Sequence, residues 1–544
     1  MRELLLAAVL LPFLLCAVRS AAGPFEELTF IDHYNLRYCS SADDQMLRSQ
    51  VAEIKANLDK AKAYGIGNYI LFSRSFEFLV NYDFEVEGLA DLTGVVWPED
   101  SDHRKYQKKY AACLNEVLDY AYDRGIKVIF HTNQFDFPGK LYEMAGTKMS
   151  GSARVCPGKK MAFDVLELKI REFFEKFPKC AGMELTVSET QTKVTECNCD
   201  SCRNLGDAQR FARVITAAYR ACEPLGKIAM IRTWGGFAEE ENLAALPEGV
   251  ICSTKNTSGD FHLSAGINPV IGVGAERQEV EFCGWREYSG YNWFPCYMGD
   301  FYSERIRRCA ETGVKRLAIR LNWNHNLNHI FSKPYGNEVN IYMFARLAQD
   351  PNAVPDELLR EYIAQVYPTS AQEAAFELYK RSFDIQKVWM IWEDTNCNDH
   401  SRIFRRKPYW QRVRSIAGNG VKNDPETIRR LIAHRRLQID DMYEEAIKLV
   451  DALGPDVPEA WKQDLKRGAS AGWYVAQGNC DCILMYAAHV DAESTGSLAD
   501  ISELEEQLRD RARRWELGDP ETYSLMYGIS PLEMLEELKK DFPD

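Results

Sequence analysis

The chain has 544 residues, of which 27% are charged, and a net charge of −14 at neutral pH. That length exceeds what a single core usually holds, so two or more domains are expected. The acidic balance excludes the basic face that nucleic acid demands. With 46% hydrophobic residues and no low-complexity tract, the composition is that of an ordinary globular protein with a neutral or modestly charged ligand.

At the N-terminus Arg2 precedes an apolar run from Leu4 to Val18, followed by the small residues Ser20, Ala21 and Ala22. This is a signal-peptide pattern over residues 1–22, with cleavage after Ala22, and the run is short for a membrane span. Export is therefore expected, to the periplasm or the exterior, and no later stretch is apolar enough to cross a bilayer. Loss of Cys16 with the leader takes sixteen cysteines to an odd number, leaving at least one thiol unpaired in a lone chain.

From Phe25 to about residue 326, a short β-rich run, a loop and an amphipathic helix recur. The runs are Leu28–His33, Tyr69–Ser73, Lys127–His131, Gly182–Ser188, Ile228–Thr233, Val250–Thr254, Glu279–Phe282 and Arg316–Leu321. Several are almost continuously apolar, as parallel strands covered on both faces must be. Between them lie helical patterns such as Tyr106–Arg124, closed by Gly125. Eight strands alternating with helices predict a (β/α)₈ TIM barrel over residues 25–333, ahead of an open doubly wound sheet. Beyond Lys333 the patterns are helical only: Glu338–Ala348, Pro355–Val366, Ala371–Met390, Pro425–Leu453, Pro458–Val490 and Ile501–Glu516. Residues 334–544 are thus expected to form an all-α domain, whose apolar stripes make a core or, alternatively, a homodimer face.

A barrel carries its active site at the C-terminal ends of its strands. His131 ends the third run, Glu189 follows the fourth, Arg232 and Trp234 end the fifth, Lys255 and Asp260 follow the sixth, Glu287 the seventh, and Asn322 and Trp323 the eighth. Three carboxylates among aromatic and amide neighbours suit glycoside hydrolysis. There one carboxylic acid protonates the leaving oxygen and another carboxylate assists attack at the anomeric carbon. The two stand about 6.5–9.5 Å apart if water attacks directly and about 5–5.5 Å apart if a carboxylate does. Such chemistry calls for no cofactor. Trp234 and Trp323 fit sugar stacking or a partly buried core, and His131 fits a hydroxyl contact or a structural hydrogen bond. Cys197, Cys199 and Cys202, in CNCDSC, suit a disulfide-pinned loop or a zinc site, with Cys156 or Cys180 within reach. Asn256 heads a glycosylation sequon, but its place between Lys255 and Asp260 disfavours a glycan.

VEFCGWREYSG (280–290) resembles the EF-x₄-EY-x-G motif of family 67 α-glucuronidases, and STKNTSGDF (253–261) resembles that family's Lys-x₄-Asp-Phe motif. GMELTVSE is similar to the family's strand-four segment bearing the acid, and MIRTW to the strand-five segment bearing an Arg. NEVNIYMFARLAQDP resembles its helical C-terminal domain. The resemblance implies an inverting hydrolase of an α-linked uronic acid. Glu189 would be the general acid, Asp260 and Glu287 would position and deprotonate the attacking water, and Arg232 and Lys255 would hold the substrate carboxylate, unless they pair with the catalytic carboxylates instead. The chain departs from the family in carrying Leu185 where a Lys stands four positions before the acid, and in lacking an N-terminal β domain before its barrel. A retaining glycosidase with Glu287 as nucleophile and a non-catalytic carbohydrate-binding barrel are the alternatives.

Overall fold

The computed structural model describes residues 23–33, 36, 44–72, 79–133, 137–153, 155–186, 196–233, 244–284, 290, 292–322, 329–392, 395–396, 424–498, 501–518 and 531–541. Eight parallel strands close into a barrel: β1 (Glu27–His33), β2 (Asn68–Phe72), β3 (Lys127–Asn133), β4 (Gly182–Thr186), β5 (Ile228–Arg232), β6 (Ile251–Lys255), β7 (Gln278–Cys283) and β8 (Arg316–Arg320). The closing pairs are Glu27 with Arg316 and Ile31 with Arg320. Each strand coincides with one of the eight sequence runs, with ends displaced by a residue or two.

Alternation along each strand sorts its side chains. Phe30, Leu71, Val128, Leu185, Ile231, Val280 and Leu317 join the large core between strands and helices, while Ile31, Ile70, Phe72, Ile129, Met230 and Ala318 form a separate cluster inside the barrel. Leu185 is therefore a core residue packed on the helical shell. Its neighbour Glu184 points inward, where it meets His131.

Helices α1 (Asp44–Ala63), α2 (Asp102–Tyr122), α3 (Gly139–Ala145), α4 (Lys160–Lys176), α5 (Asp207–Cys222) and α6 (Gly299–Glu311) occupy the connections. The second begins four residues before its apolar periodicity does, because the Ser101 hydroxyl accepts the Arg104 backbone N–H at 3.3 Å and caps it. Gly125, at φ 72°, supplies the left-handed residue just past its end.

After the barrel come α7 (Glu338–Gln349), α8 (Pro355–Val366), α9 (Gln372–Met390), α10 (Pro425–Asp451), α11 (Glu459–Thr495), α12 (Ser502–Gly518) and α13 (Pro531–Asp541). The only described strands here are two-residue pieces, Ile391–Trp392 and Thr395–Asn396. A TIM barrel followed by an all-α region is thus the fold. Helix α7 binds the two together. Of its twelve residues, ten are buried, and Asn337 and Asn340 beside and within it donate to or accept from Cys296, Met298 and Gly284 at 2.7–2.9 Å. No described helix is long and apolar enough to cross a membrane.

Candidate functional site at the strand ends

Six side chains, from β2, β3, β4, β5, β7 and β8, meet inside the barrel towards the C-terminal ends of its strands. Glu281 is fully buried and takes two hydrogen bonds from Arg232, at 2.7 and 3.2 Å, and two from Arg320, one of them at 3.0 Å. Burial opposes ionisation of this carboxyl, but the two guanidiniums outweigh it and hold Glu281 well below the usual carboxylate range. Phe72 is near both cations, with the Arg232 and Arg320 guanidiniums 5.7 and 5.6 Å from its ring centre. Beneath it the His131 ring stacks at 3.5 Å, and its Nδ1 lies 2.6 Å from Glu184 Oε2. Burial pushes the Glu184 carboxyl up to about 8, and the contact with His131 Nδ1 joins the two buried groups by one shared hydrogen bond. One strand layer below, Glu279 accepts from the Thr29 hydroxyl at 2.7 Å and is likewise raised by burial to about 8.

Lys255, at the end of β6, donates to Asp260 Oδ1 at 2.7 Å, and the Phe261 backbone N–H donates to the same oxygen at 2.9 Å. The loop that carries Asp260 back is fixed from both sides. Asn256 donates through its side chain and its backbone to the Glu281 carbonyl, each at 2.9 Å, and Asn268 donates to the Lys255 carbonyl at 2.9 Å. Asn256 is 1% exposed, so its amide is not open to a glycan. The Asp260 side chain keeps 17% exposure while its Lys255 partner keeps 3%, which makes the carboxylate the outward member of the pair.

Of the residues marked from sequence, Asp260 and Lys255 thus form a pair, Arg232 engages Glu281, and His131 is buried in the barrel against Glu184. Asn322 accepts the His33 backbone N–H at 2.5 Å and donates to Asp32 at 2.7 Å, closing the seam between β1 and β8. Glu189, Glu287, Trp234 and Trp323 lie outside the described residues. Sequence reasoning passed over Glu184, Glu279, Glu281 and Arg320. The signal that marks two of them is Glu-x-Glu within β7: charges two apart on a strand share a face, and on a closed barrel that face is interior.

The expected disulfide at CNCDSC is not formed. Cys156, Cys197, Cys199 and Cys202 are all free thiols clustered together, and the other described cysteines are free as well.

No family model matches the chain, and comparison with curated proteins gives no match. Solved structures do match in fold. A GH138 enzyme targeting pectin rhamnogalacturonan II superposes with a TM-score of 0.62 at 10% identity, over 95% of this chain and 84% of that one. CpGH84B gives 0.46 at 10% identity over 95% and 77%. An O-GlcNAc hydrolase from Thermobaculum terrenum gives 0.45 at 10% identity over 95% of both chains. These neighbours are glycoside hydrolases, and the likeness to them is one of fold.

Proposed function

We propose that this chain is an exported glycoside hydrolase that removes an α-linked uronic acid by an inverting acid/base mechanism, in the manner of the α-glucuronidases its motifs resemble. The observation that carries the reading is the Lys255–Asp260 pair, held at the open end of a closed eight-stranded barrel with its carboxylate outward. In this reading Glu189 protonates the leaving oxygen, and Asp260 and Glu287 orient the water and take its proton. Lys255 holds Asp260 in place by their hydrogen bond. Arg232 and Arg320 are both committed to Glu281 inside the barrel, so what they offer a sugar carboxylate is the net positive charge of that cluster and not a direct hydrogen bond.

The test is release of free uronic acid from glucuronic-acid-decorated xylo-oligosaccharides by wild type, Glu189→Gln and Asp260→Asn, with the product anomer followed by NMR. Release by wild type alone, with inverted configuration, is expected. Full activity of either variant overturns its assigned role, and a retained anomer replaces the inverting reading by one with Glu287 as nucleophile. The fold neighbour that targets pectin rhamnogalacturonan II favours a second substrate, an acidic pectic oligosaccharide, and the same assay on that material decides between them. Hydrolysis of neither, with retained binding to either, identifies a carbohydrate-binding barrel instead. Export is tested separately by the N-terminal sequence of protein recovered outside the cytoplasm, expected to begin at Gly23.

A further inference from the structure

Four cysteine sulfurs, from Cys156, Cys197, Cys199 and Cys202, lie within 4.8 Å of one another. They come from two different connections. Cys156 stands in the segment after β3, shortly before α4, and the other three stand in the segment after β4, shortly before α5. Cys156 Sγ is 3.4 Å from Cys199 Sγ and 3.2 Å from Cys202 Sγ. A disulfide would bring one pair to about 2.05 Å and set the other apart. Here one sulfur is nearly equidistant from two others, the arrangement of ligands around a shared centre. Zinc–sulfur bonds of about 2.3 Å give tetrahedral sulfur–sulfur edges of about 3.8 Å, close to the spacing present.

The surroundings are built for such a centre. Cys156, Cys197 and Cys202 are fully buried. A side chain on Gly151 would place its Cβ 2.7 Å from Cys197 Sγ and 3.1 Å from Cys199 Sγ, so the backbone there closes directly over the sulfurs. The Ser152 hydroxyl faces Cys197 Sγ at 3.6 Å and accepts the Asn198 N–H at 2.7 Å. Arg210, 5% exposed, spreads its guanidinium over the carbonyls of Cys197, Cys202 and Leu205 at 2.8–2.9 Å, and Arg213 donates to the Pro157 carbonyl at 2.9 Å. Zinc with four thiolates carries two negative charges, and Arg210, bonded to the carbonyls of two of these cysteines, is a buried cation beside them.

We propose that Cys156, Cys197, Cys199 and Cys202 bind one zinc ion, which staples the third and fourth strand-to-helix connections together at the rim of the barrel. Four sulfurs complete the coordination and leave no open position, so the ion is structural and takes no part in bond breaking. The site stands whatever reaction the barrel performs.

The test is metal analysis of the full-length protein, purified without added metal or chelator. About one zinc per chain is expected, released stoichiometrically as the thiols are titrated with an organomercurial. Cys199→Ser and Cys202→Ser are each expected to lose the bound zinc. Exchange of wild type into cobalt(II) is expected to give the intense visible bands of a tetrahedral thiolate complex, a reading that does not depend on any variant folding. Zinc-free protein with these cysteines in disulfides, found by peptide mass mapping, overturns the proposal. So does zinc that both variants retain, or cobalt with an octahedral spectrum.

Discussion

Glu281 is the residue on which the barrel interior depends. It lies between two guanidiniums, both of which it partners. Removing one member of a buried ionic cluster leaves uncompensated charge and costs about 3–5 kcal/mol. Glu281→Gln keeps the shape and loses the charge, so its urea midpoint should fall by a corresponding amount with the slope unchanged; a stability equal to wild type would mean that Arg232 and Arg320 are neutralised elsewhere. Glu279 behaves oppositely. Its carboxyl titrates near 8 in the folded protein against 4.5 ordinarily, so between those values the folded chain holds a proton that the unfolded chain has released. Its stabilising contribution is fully present below about 4.5 and is lost as pH rises towards about 8. Glu279→Gln removes that loss. The melting temperature of the variant relative to wild type should therefore climb across this window, and a difference independent of pH would show that Glu279 ionises freely in place. Glu184, Glu279, Glu281 and Arg320 do not stand out in a search for apolar runs, whereas Arg232 and His131 do because they lie at the ends of theirs, so the polar lining was legible only in part. Lys255 and Asp260 were legible because one ends β6 and the other follows it, where the chain carries fewer apolar residues to mask them.

Among elements, the eight strands and most helices follow from periodicity, and Pro355–Val366 coincides with its sequence pattern at both ends. The misses have local causes. The cap of α2 lies outside its apolar stripe, and α13, only eleven residues long, offers too few turns for a pattern to register. Helix α11 shows where propensity misleads. Gly472 lies in its interior, where Ala would be favoured by about 1 kcal/mol. A Cβ there would sit 2.1 Å from Cε3 of Trp389, whose side chain is 1% exposed in the core. Overpacking of this kind costs about 1–3 kcal/mol, so Gly472→Ala should lower the melting temperature despite its better helix propensity. A rise would mean that α9 and α11 shift apart at little cost.

At the scale of the whole molecule, the barrel and the helical region share one core. Lys60 of α1 pairs with Glu338 of α7 at 2.6 Å, Lys333 with Asp464 of α11 at 2.6 Å, and the Tyr297 N–H donates to Ser382 of α9 at 2.9 Å. Sequence marked a change of character near residue 333 but carried no sign of how tightly the two parts would be joined, because the joining groups are isolated Asn, Ser and Lys side chains distant along the chain. Calorimetry of the full chain should show a single transition, and a chain ending at residue 333 should be insoluble, having lost the partner of a largely apolar face. Two separable transitions would show that the parts fold independently.

The segment from Asn292 to Met298, which leaves the seventh strand's mouth, is held from behind by Asn337, Asn340 and Ser382. One wall of the mouth is therefore encoded in two places some forty to ninety residues apart. Recombination between distant relatives at the barrel's end would separate these halves and leave mismatched backbone partners. A working chimera must carry residues 292–298 together with the helices behind them, so the unit of inheritance at this site crosses the boundary that the fold suggests.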